Sequence, residues 1–396
     1  MKSATPKYRI LIAAALLAAS FNAQADSITD WNAKAGEFIT EAKLGTPPAV
    51  RVMAIVQTAA HDAVLATPGD ASADAAVAAA HRATLLKLLP AQQAAIDAAY
   101  QAALAAIADG PARAAGVMAG EKAAAAVMAA RLDDGAATAE AYRPHTSAGM
   151  YVPTAMPAIP QWPQRKPWLM ASAAQFRPAA PPALTSEAWA RDYNEVKLMG
   201  ARGSVKRSAE QTEIARFWEY SLPAIYFGVL RPVALQPRRS LAQNARLYAA
   251  VAQAMDDGLI AAFDAKYHYN FWRPATAIRN GDIDGNDATA RDAGWMPLVE
   301  APLHPEYPSA HATLAAAVAE VLKADAGSGR LPVLSTSSPT AKGAVRSWAS
   351  ADAFVAEVSE ARIVAGIHYR AATETGAAMG RRVGALAVAR HFGPPH

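Results

Sequence analysis

Apolar side chains recur three and four residues apart through one alanine-rich stretch after another, a period that fits helices and leaves strands little room. From Pro48 to Leu65 the residues Val50, Met53, Ala54, Val56, Ala60 and Val64 share a helical face, and alanine-rich stretches follow at 72–88, 91–108 and 112–131. Alanine gives up no side-chain freedom on entering a helix, so the composition favours the same class as the period. The pattern resumes at 186–199, at 208–220 with Ser208 as the expected N-cap, and at 240–262 with Leu241, Ala245, Tyr248, Ala252, Met255 and Leu259 on one stripe. Shorter pieces follow at 274–280, 309–324, 345–365 and 373–391. No alternating run reaches a convincing strand length and no internal repeat is visible. The expected class is all-α, with helix bundles burying the stripes.

One interval breaks the pattern. Between Pro144 and Pro182 lie nine of the 27 prolines, together with Trp162 and Trp168. Proline fixes φ and removes a donor, so the backbone here is irregular, while the tryptophans favour a packed arm over a free linker. The chain divides into 1–25, an N-terminal helical region 26–143, the proline-rich segment 144–184 and a C-terminal helical region 185–396.

The first 25 residues have their own logic. Lys2, Lys7 and Arg9 precede an apolar run from Ile10 to Ala19, and Ala23-Gln24-Ala25 offers a small-x-small cleavage site before Asp26. This is the layout of a secretory signal peptide and predicts a periplasmic or secreted protein. No later segment combines ~20 apolar residues with freedom from charge, so no membrane span is expected in the mature chain. With 53% apolar residues the chain is globular, and with no cysteine it excludes thiol catalysis and thiolate metal sites. The formal charge of +4 comes from scattered basic residues, not a stripe interleaved with aromatics, which argues against nucleic-acid binding.

Three clusters carry candidate chemistry. In the first, Lys266-Tyr-His-Tyr-Asn-Phe-Trp-Arg273-Pro274, Pro274 suits the first position of a helix. Arg273 then stands at that helix's entrance, where an anion is favoured, with Lys266 approaching from the preceding turn. In the second, Pro305-Glu-Tyr-Pro308-Ser309-Ala310-His311, Ser309 falls at an N-cap, so its hydroxyl and the N–H groups of Ala310 and His311 converge on one spot. His311 adds an acid–base group. In the third, Arg362-Ile-Val-Ala-Gly-Ile-His368, a continuous helix would hold the two side chains about 120° apart at 3.6 residues per turn. Gly366, a natural helix terminator, would let His368 turn back toward Arg362. Taken singly, these are also readable as a structural arginine, an ordinary N-cap with an exposed histidine, and a chance Arg–His spacing.

Taken together and in this order, Lys-x6-Arg-Pro, Pro-Ser-small-His and Arg-x5-His resemble the three-part anion site of the vanadium-dependent haloperoxidase and type-2 phosphatidic acid phosphatase superfamily. The surrounding text resembles its bacterial haloperoxidase-like branch at Lys266–Asn286, His304–His311 and Ala365–Arg370, more faintly at Glu195–Trp218 and Arg51–Val64. The likeness covers 185–392 well and the N-terminal part loosely. It implies the helix-bundle architecture of that superfamily, with the catalytic part in 185–396. It also implies that His368 is the vanadate ligand or phosphatase nucleophile. Lys266, Arg273, Arg362, Ser309 and the Ala310 N–H would bind the oxyanion, and His311 would be the acid–base. The implied cofactor is vanadate, with phosphate able to occupy the same site and neither haem nor zinc expected. The implied substrates are hydrogen peroxide and halide, or a phosphoester. Paired bundles commonly dimerise, which leaves a homodimer open.

Three departures stand out. Ala310 replaces the family's usual glycine, and Ala361 its usual serine before the third-motif arginine. The acid expected four residues after His368 is Ala372. That acid would orient the imidazole, so another carboxylate is needed, with Glu374 and Asp257 as candidates. His304, five residues before Ser309, matches a histidine of bromide-oxidising relatives, and Phe263 is a candidate for the same halide-side wall. Asp282-Ile-Asp284-Gly285-Asn286 looks like a calcium loop but lacks the required Gly and Glu, and reads as a capped turn. His61 with Asp62 reads as a helix contact; His145, His391 and His396 show no partner pattern. The expected function is vanadate-dependent halide oxidation by hydrogen peroxide. An exported acid phosphatase is the alternative, and an anion-binding protein without turnover the third reading.

Overall fold

The computed structural model describes residues 26–394, so the leader assigned to 1–25 and His396 lie outside the described residues. Five helices come first: α1 (Ser27–Glu41), α2 (Thr46–Ala66), α3 (Ala73–Leu88), α4 (Gln93–Ala105) and α5 (Pro111–Ala130). After the proline-rich arm come α6 (Glu187–Met199), α7 (Ala209–Phe217), α8 (Pro223–Ala234), α9 (Leu241–Tyr269), α10 (Pro274–Arg279) and α11 (Ala310–Ala326). A hairpin of β1 (Leu334–Ser338) and β2 (Ala344–Trp348) precedes α12 (Ala351–Val364) and α13 (Arg370–Phe392). The protein is all-α in class and built as helix bundles.

α9 organises the packing. It was expected to show one apolar stripe, yet every residue from Leu247 to Lys266 is buried. A helix apolar all round belongs in a core. α2 lies against it from the N-terminal side, where α2, α3 and α5 pack together; α11 and α13 lie against it from the C-terminal side. One large core therefore runs through both halves. α2 is long and apolar enough to cross a membrane by length and composition, but two-thirds of its most apolar window (67%) is buried inside the protein.

Small residues let α11 and α13 approach closely. A Cβ at Gly376 would stand 2.4 Å from the Ser309 carbonyl oxygen, and one at Gly380 2.1 Å from that of Thr313. Neither could carry a side chain without moving the helix that begins at Ser309.

The proline-rich segment is a packed arm. Two short 3₁₀ turns, Trp162–Gln164 and Ala173–Phe176, interrupt it. Arg165, fully buried, donates to Asp134 at 2.7 Å and Asp256 at 2.5 Å, and Arg51 donates to Asp134 at 2.7 Å. Asp257 accepts the backbone N–H groups of Trp168, Leu169 and Met170 at 2.7–2.9 Å. These carboxylates fasten a segment that bonds to itself only in short turns.

The structure departs from the expected elements in three places. The helix expected over 345–365 begins only at Ala351, because Val345 to Trp348 pair with β1 and Ser350 caps the helix afresh. β-branched and aromatic residues outweigh a helical period too short to nucleate. α1 and α8 were not anticipated. α1 is announced by Asp26, whose carboxylate accepts the Thr29 N–H at 2.9 Å, and α8 opens on Pro223 at its first turn.

Candidate oxyanion site

Each cluster ends or begins a helix, and the ends meet. Lys266 lies in the last turn of α9, which stops at Asn270 in the left-handed conformation at φ 49°. Arg273 is the N-cap of α10 with Pro274 at its first position. Ser309 is the N-cap of α11. Its N–H is held by the Ala372 carbonyl at 2.9 Å, and Ala310 starts the helix in ordinary right-handed geometry. Replacing the family's glycine by Ala310 therefore introduces no positive φ and no strain of that kind.

Gly366 turns the third cluster as its sequence predicts. Arg362 lies in the last turn of α12, and Gly366 follows at φ 81°. The Gly366 N–H reaches the Ile363 carbonyl at 2.9 Å and the Ile367 N–H that of Arg362 at 3.3 Å, the paired bonds of a Schellman termination. The chain then doubles back and His368 comes beside Arg273, with Arg273 Nη1 3.3 Å from His368 Nε2.

The cations are buried. Lys266, Arg273 and Arg362 are at most 2% exposed. Lys266 Nζ donates to the carbonyls of Pro305 and Glu306, each at 2.9 Å. Arg273 donates to the carbonyls of His304 at 3.0 Å and Ile367 at 2.8 Å. Arg362 donates Nη1 to the Trp218 carbonyl, and among the described residues its buried Nε has no acceptor. Burial, then the neighbouring guanidinium groups, holds the Lys266 ammonium well below the usual lysine range. Burial likewise brings Arg273 and Arg362 down to about 10. Glu306 is the carboxylate whose charge acts on Lys266, against the two guanidinium groups of Arg273 and Arg362. Buried charges that lack counter-charge are costly, so the group that fits here is an anion with several acceptor oxygens. The donor set passes this test for vanadate or phosphate.

Glu306 is the residue that sequence reasoning missed. It is fully buried, and its Oε1 accepts His368 Nδ1–H at 2.7 Å and the Tyr369 N–H at 3.0 Å. The tautomer follows. Arg273 can only donate, so His368 Nε2 must present its lone pair and Nδ1 must carry the proton to Glu306. Burial, opposed by Arg273 and Lys266, pushes the Glu306 carboxyl up to about 7. The two candidates for this task are corrected. Asp257 is committed to the arm's backbone, and Glu374 is exposed on α13 with no bond to His368. A clue was present: Glu306 is the only acid inside the three clusters.

His311 is held through a bond to the Tyr220 backbone, and among the described residues its buried Nε2 has no partner. His304 Nδ1 lies 3.0 Å from Arg273 Nη2 and 3.2 Å from the Pro305 carbonyl. The arginine can only donate, so Nδ1 accepts from it and Nε2 carries the hydrogen. Phe263 packs on His304, ring centres 5.0 Å apart. Both line a cavity of about 410 Å³ with Ala310, His311 and His368. Lys266, Arg273 and Arg362 act electrostatically on His311 and His368 from beside this cavity, whereas Asp257 and Glu374 lie elsewhere.

The other sequence features serve structure. Asp284 accepts from Trp189 Nε1 at 2.8 Å and from the Asn286 N–H at 2.9 Å, which makes its loop a capped turn. His61 contacts Asp62 at 3.3 Å and lies edge-on to His391.

Two predictions follow from this electrostatics. Glu306→Ala should weaken orthovanadate or phosphate binding to the oxyanion-free protein about 10–100-fold, the usual cost of removing such a support. Adding Ala372→Asp should recover part of it; calorimetry on the single and double variants reads both. The second concerns acid stability. His304, His311 and His368 are held well below 6.5, chiefly by burial, and His81 and His391 go down to about 4 for the same reason. Below 6.5 the unfolded chain takes up protons that these folded positions refuse, so stability should fall as pH drops from 7 to 5. Glu306, with its raised value, opposes this by a single proton. Urea midpoints across that range in phosphate-free buffer test the sign, and a flat or opposite trend contradicts it.

Comparison with known proteins places this geometry. Residues 246–393 match the family model of the VCPO second helical-bundle domain. The chain is 29% identical over 177 residues to the vanadium chloroperoxidase of Curvularia inaequalis, a match spanning 37% of this chain and only 29% of that one. The structure resembles that of a bacterial vanadium-dependent iodoperoxidase, with a TM-score of 0.78 at 24% identity over 91% of this chain and 95% of that one. It also resembles a bacterial vanadium-dependent chloroperoxidase in its apo form, with a TM-score of 0.68 at 17% identity over 87% and 93% of the two chains. The chain thus carries a match to this second-bundle domain within the helical fold of bacterial vanadium haloperoxidases, the fold that its three motifs lead one to expect.

Proposed function

We propose that this protein is a vanadate-dependent haloperoxidase, oxidising halide with hydrogen peroxide to hypohalous acid. One observation carries the reading: the lone pair of a neutral imidazole, His368 Nε2, met only by the Arg273 guanidinium, lies among three buried cations without a matching anion. Vanadate would be held by His368 Nε2, by Lys266, Arg273 and Arg362, and by Ser309 and the Ala310 N–H. When bound it supplies a Lewis-acid centre that makes peroxide susceptible to halide without changing oxidation state.

The chain's own residues do the rest. The three cations neutralise the oxyanion's charge in a site closed to water, where such interactions are strong. Glu306 keeps the His368 proton on Nδ1. His311, neutral and with Nε2 unpartnered, can take a proton from peroxide and return one to the departing oxygen. His304 and Phe263 form the wall from which halide approaches.

The same lone pair could attack phosphorus, so the assay must separate oxidation from hydrolysis. Purified protein should oxidise iodide or bromide with hydrogen peroxide only after orthovanadate is added, and His368→Ala should abolish this. Phosphomonoester hydrolysis inhibited by orthovanadate, without halide oxidation, replaces the reading with the phosphatase one. Neither activity, with saturable oxyanion binding, leaves a binding protein.

We also propose export after cleavage between Ala25 and Asp26. The capping of α1 by Asp26, which also accepts from Asn244 Nδ2 at 2.8 Å, supports a fold that begins there. N-terminal sequencing of protein from an exporting host should start at Asp26; a start at Met1 contradicts this.

A further inference from the structure

Exposed apolar side chains are ordinary when scattered and informative when gathered. Among the described residues twelve large apolar side chains are exposed, and six of them gather on one face: Val152, Met156, Leu198, Val205, Met296 and Leu303. Three of these, Val152, Met296 and Leu303, line one open cleft of about 550 Å³. The other three are tied to its rim. The Ala158 N–H, two residues after Met156, donates to the Leu303 carbonyl at 2.6 Å. The Arg202 N–H donates to the Met296 carbonyl at 2.8 Å, and Ser204 Oγ donates to the Leu198 carbonyl at 2.7 Å. Val205 follows in the loop between α6 and α7 and is 93% exposed.

Basic groups share this face. Arg202 and Arg279 line the cleft and are exposed, exposed Lys206 adjoins Val205, and Glu300 is the acid among the residues lining the cleft. A second copy packed here about a twofold axis would set one net-basic face against another. An apolar layer behind negative head groups complements both features at once. We propose that this face docks the protein on the surface of an anionic phospholipid bilayer. Val205, Met156 and their apolar neighbours enter between the head groups, while Arg202, Lys206 and Arg279 meet the lipid phosphates. Long basic side chains suit that boundary, since their stems lie on apolar surface while their charges stay at the phosphates. The docking does not depend on the haloperoxidase reading. Leu303 also lines the cavity in front of His311 and His368, so docking sets that cavity beside the lipid.

The test sediments protein purified from an exporting host with vesicles of phosphatidylcholine, alone or mixed with phosphatidylglycerol. Partition onto the mixed vesicles should exceed that onto the neutral ones about tenfold or more, and should fall as salt is raised. Arg202→Ser should weaken it about fivefold, the worth of one basic residue at such a surface. Val205→Glu should weaken it about tenfold, because it removes an inserting side chain and adds a repelled charge. Both positions are exposed, so the fold survives either change. Leu132→Glu is the control: Leu132 is 77% exposed, follows α5 and is not one of the six. It should leave partition unchanged. No preference for the mixed vesicles overturns the proposal, as does binding that Val205→Glu leaves intact or that Leu132→Glu weakens equally. A dimer in light scattering that Val205→Glu breaks up also overturns it, because a second copy would then cover the face.

Discussion

Three buried cations facing one lone pair are the constraint around which this protein is arranged. Each of Lys266, Arg273 and Arg362 loses several kcal/mol of hydration by burial. The backbone carbonyls they bond to answer only part of that loss. The deficit is tolerated because it is localised and because an oxyanion can fill it. What would be a defect in an ordinary core would serve, under the proposed function, as a preformed receptor, complementary in charge and in the number of its donors.

The fold exists to hold that deficit still. α9 is buried along most of its length and carries Lys266 in its last turn. α11 starts at Ser309 under the glycine face of α13, and α12 stops at Gly366 so that His368 can face Arg273. Helix ends concentrate unpaired backbone groups, and bringing several to one place makes a polar site without exposing any helix interior to water. The arm, fastened by Asp134 and by α9's own Asp256 and Asp257, closes the remaining side of α9. It does so with charges kept away from the anion site, where a further negative group would oppose binding.

Much of this was legible in the sequence, for definite reasons. A 3.6-residue period is a local property, so most helices could be read directly. Ser309 and Gly366 could be placed because capping and helix termination are local too. Glu306 could not. Its partner His368 lies 62 residues away, and nothing in a proline-flanked loop tells which way a carboxylate faces. Asp257 and Glu374 were attractive because they lie near the motifs along the chain, yet one faces the arm and the other solvent. The hairpin at 334–348 was hidden by the same limit, since a strand's partner is a tertiary fact. Tyr226 belongs to α8, whose apolar sequence gives no sign that it lines the cavity of His311 and His368.

Glu306 also bears on how such sites vary. The resemblance leads one to expect an acid after the histidine, and here that position is Ala372, buried and apolar. The carboxylate comes instead from the loop before α11, and the imidazole keeps its orientation. What matters chemically is an acceptor at Nδ1, whichever element supplies it. A crystal structure of the protein soaked in orthovanadate tests this account most directly. It should contain one vanadate bonded to His368 Nε2, with its oxygens toward Lys266, Arg273 and Arg362 and with Glu306 still on Nδ1. Vanadate bound elsewhere, or a His368 ring flipped away from Glu306, would contradict it.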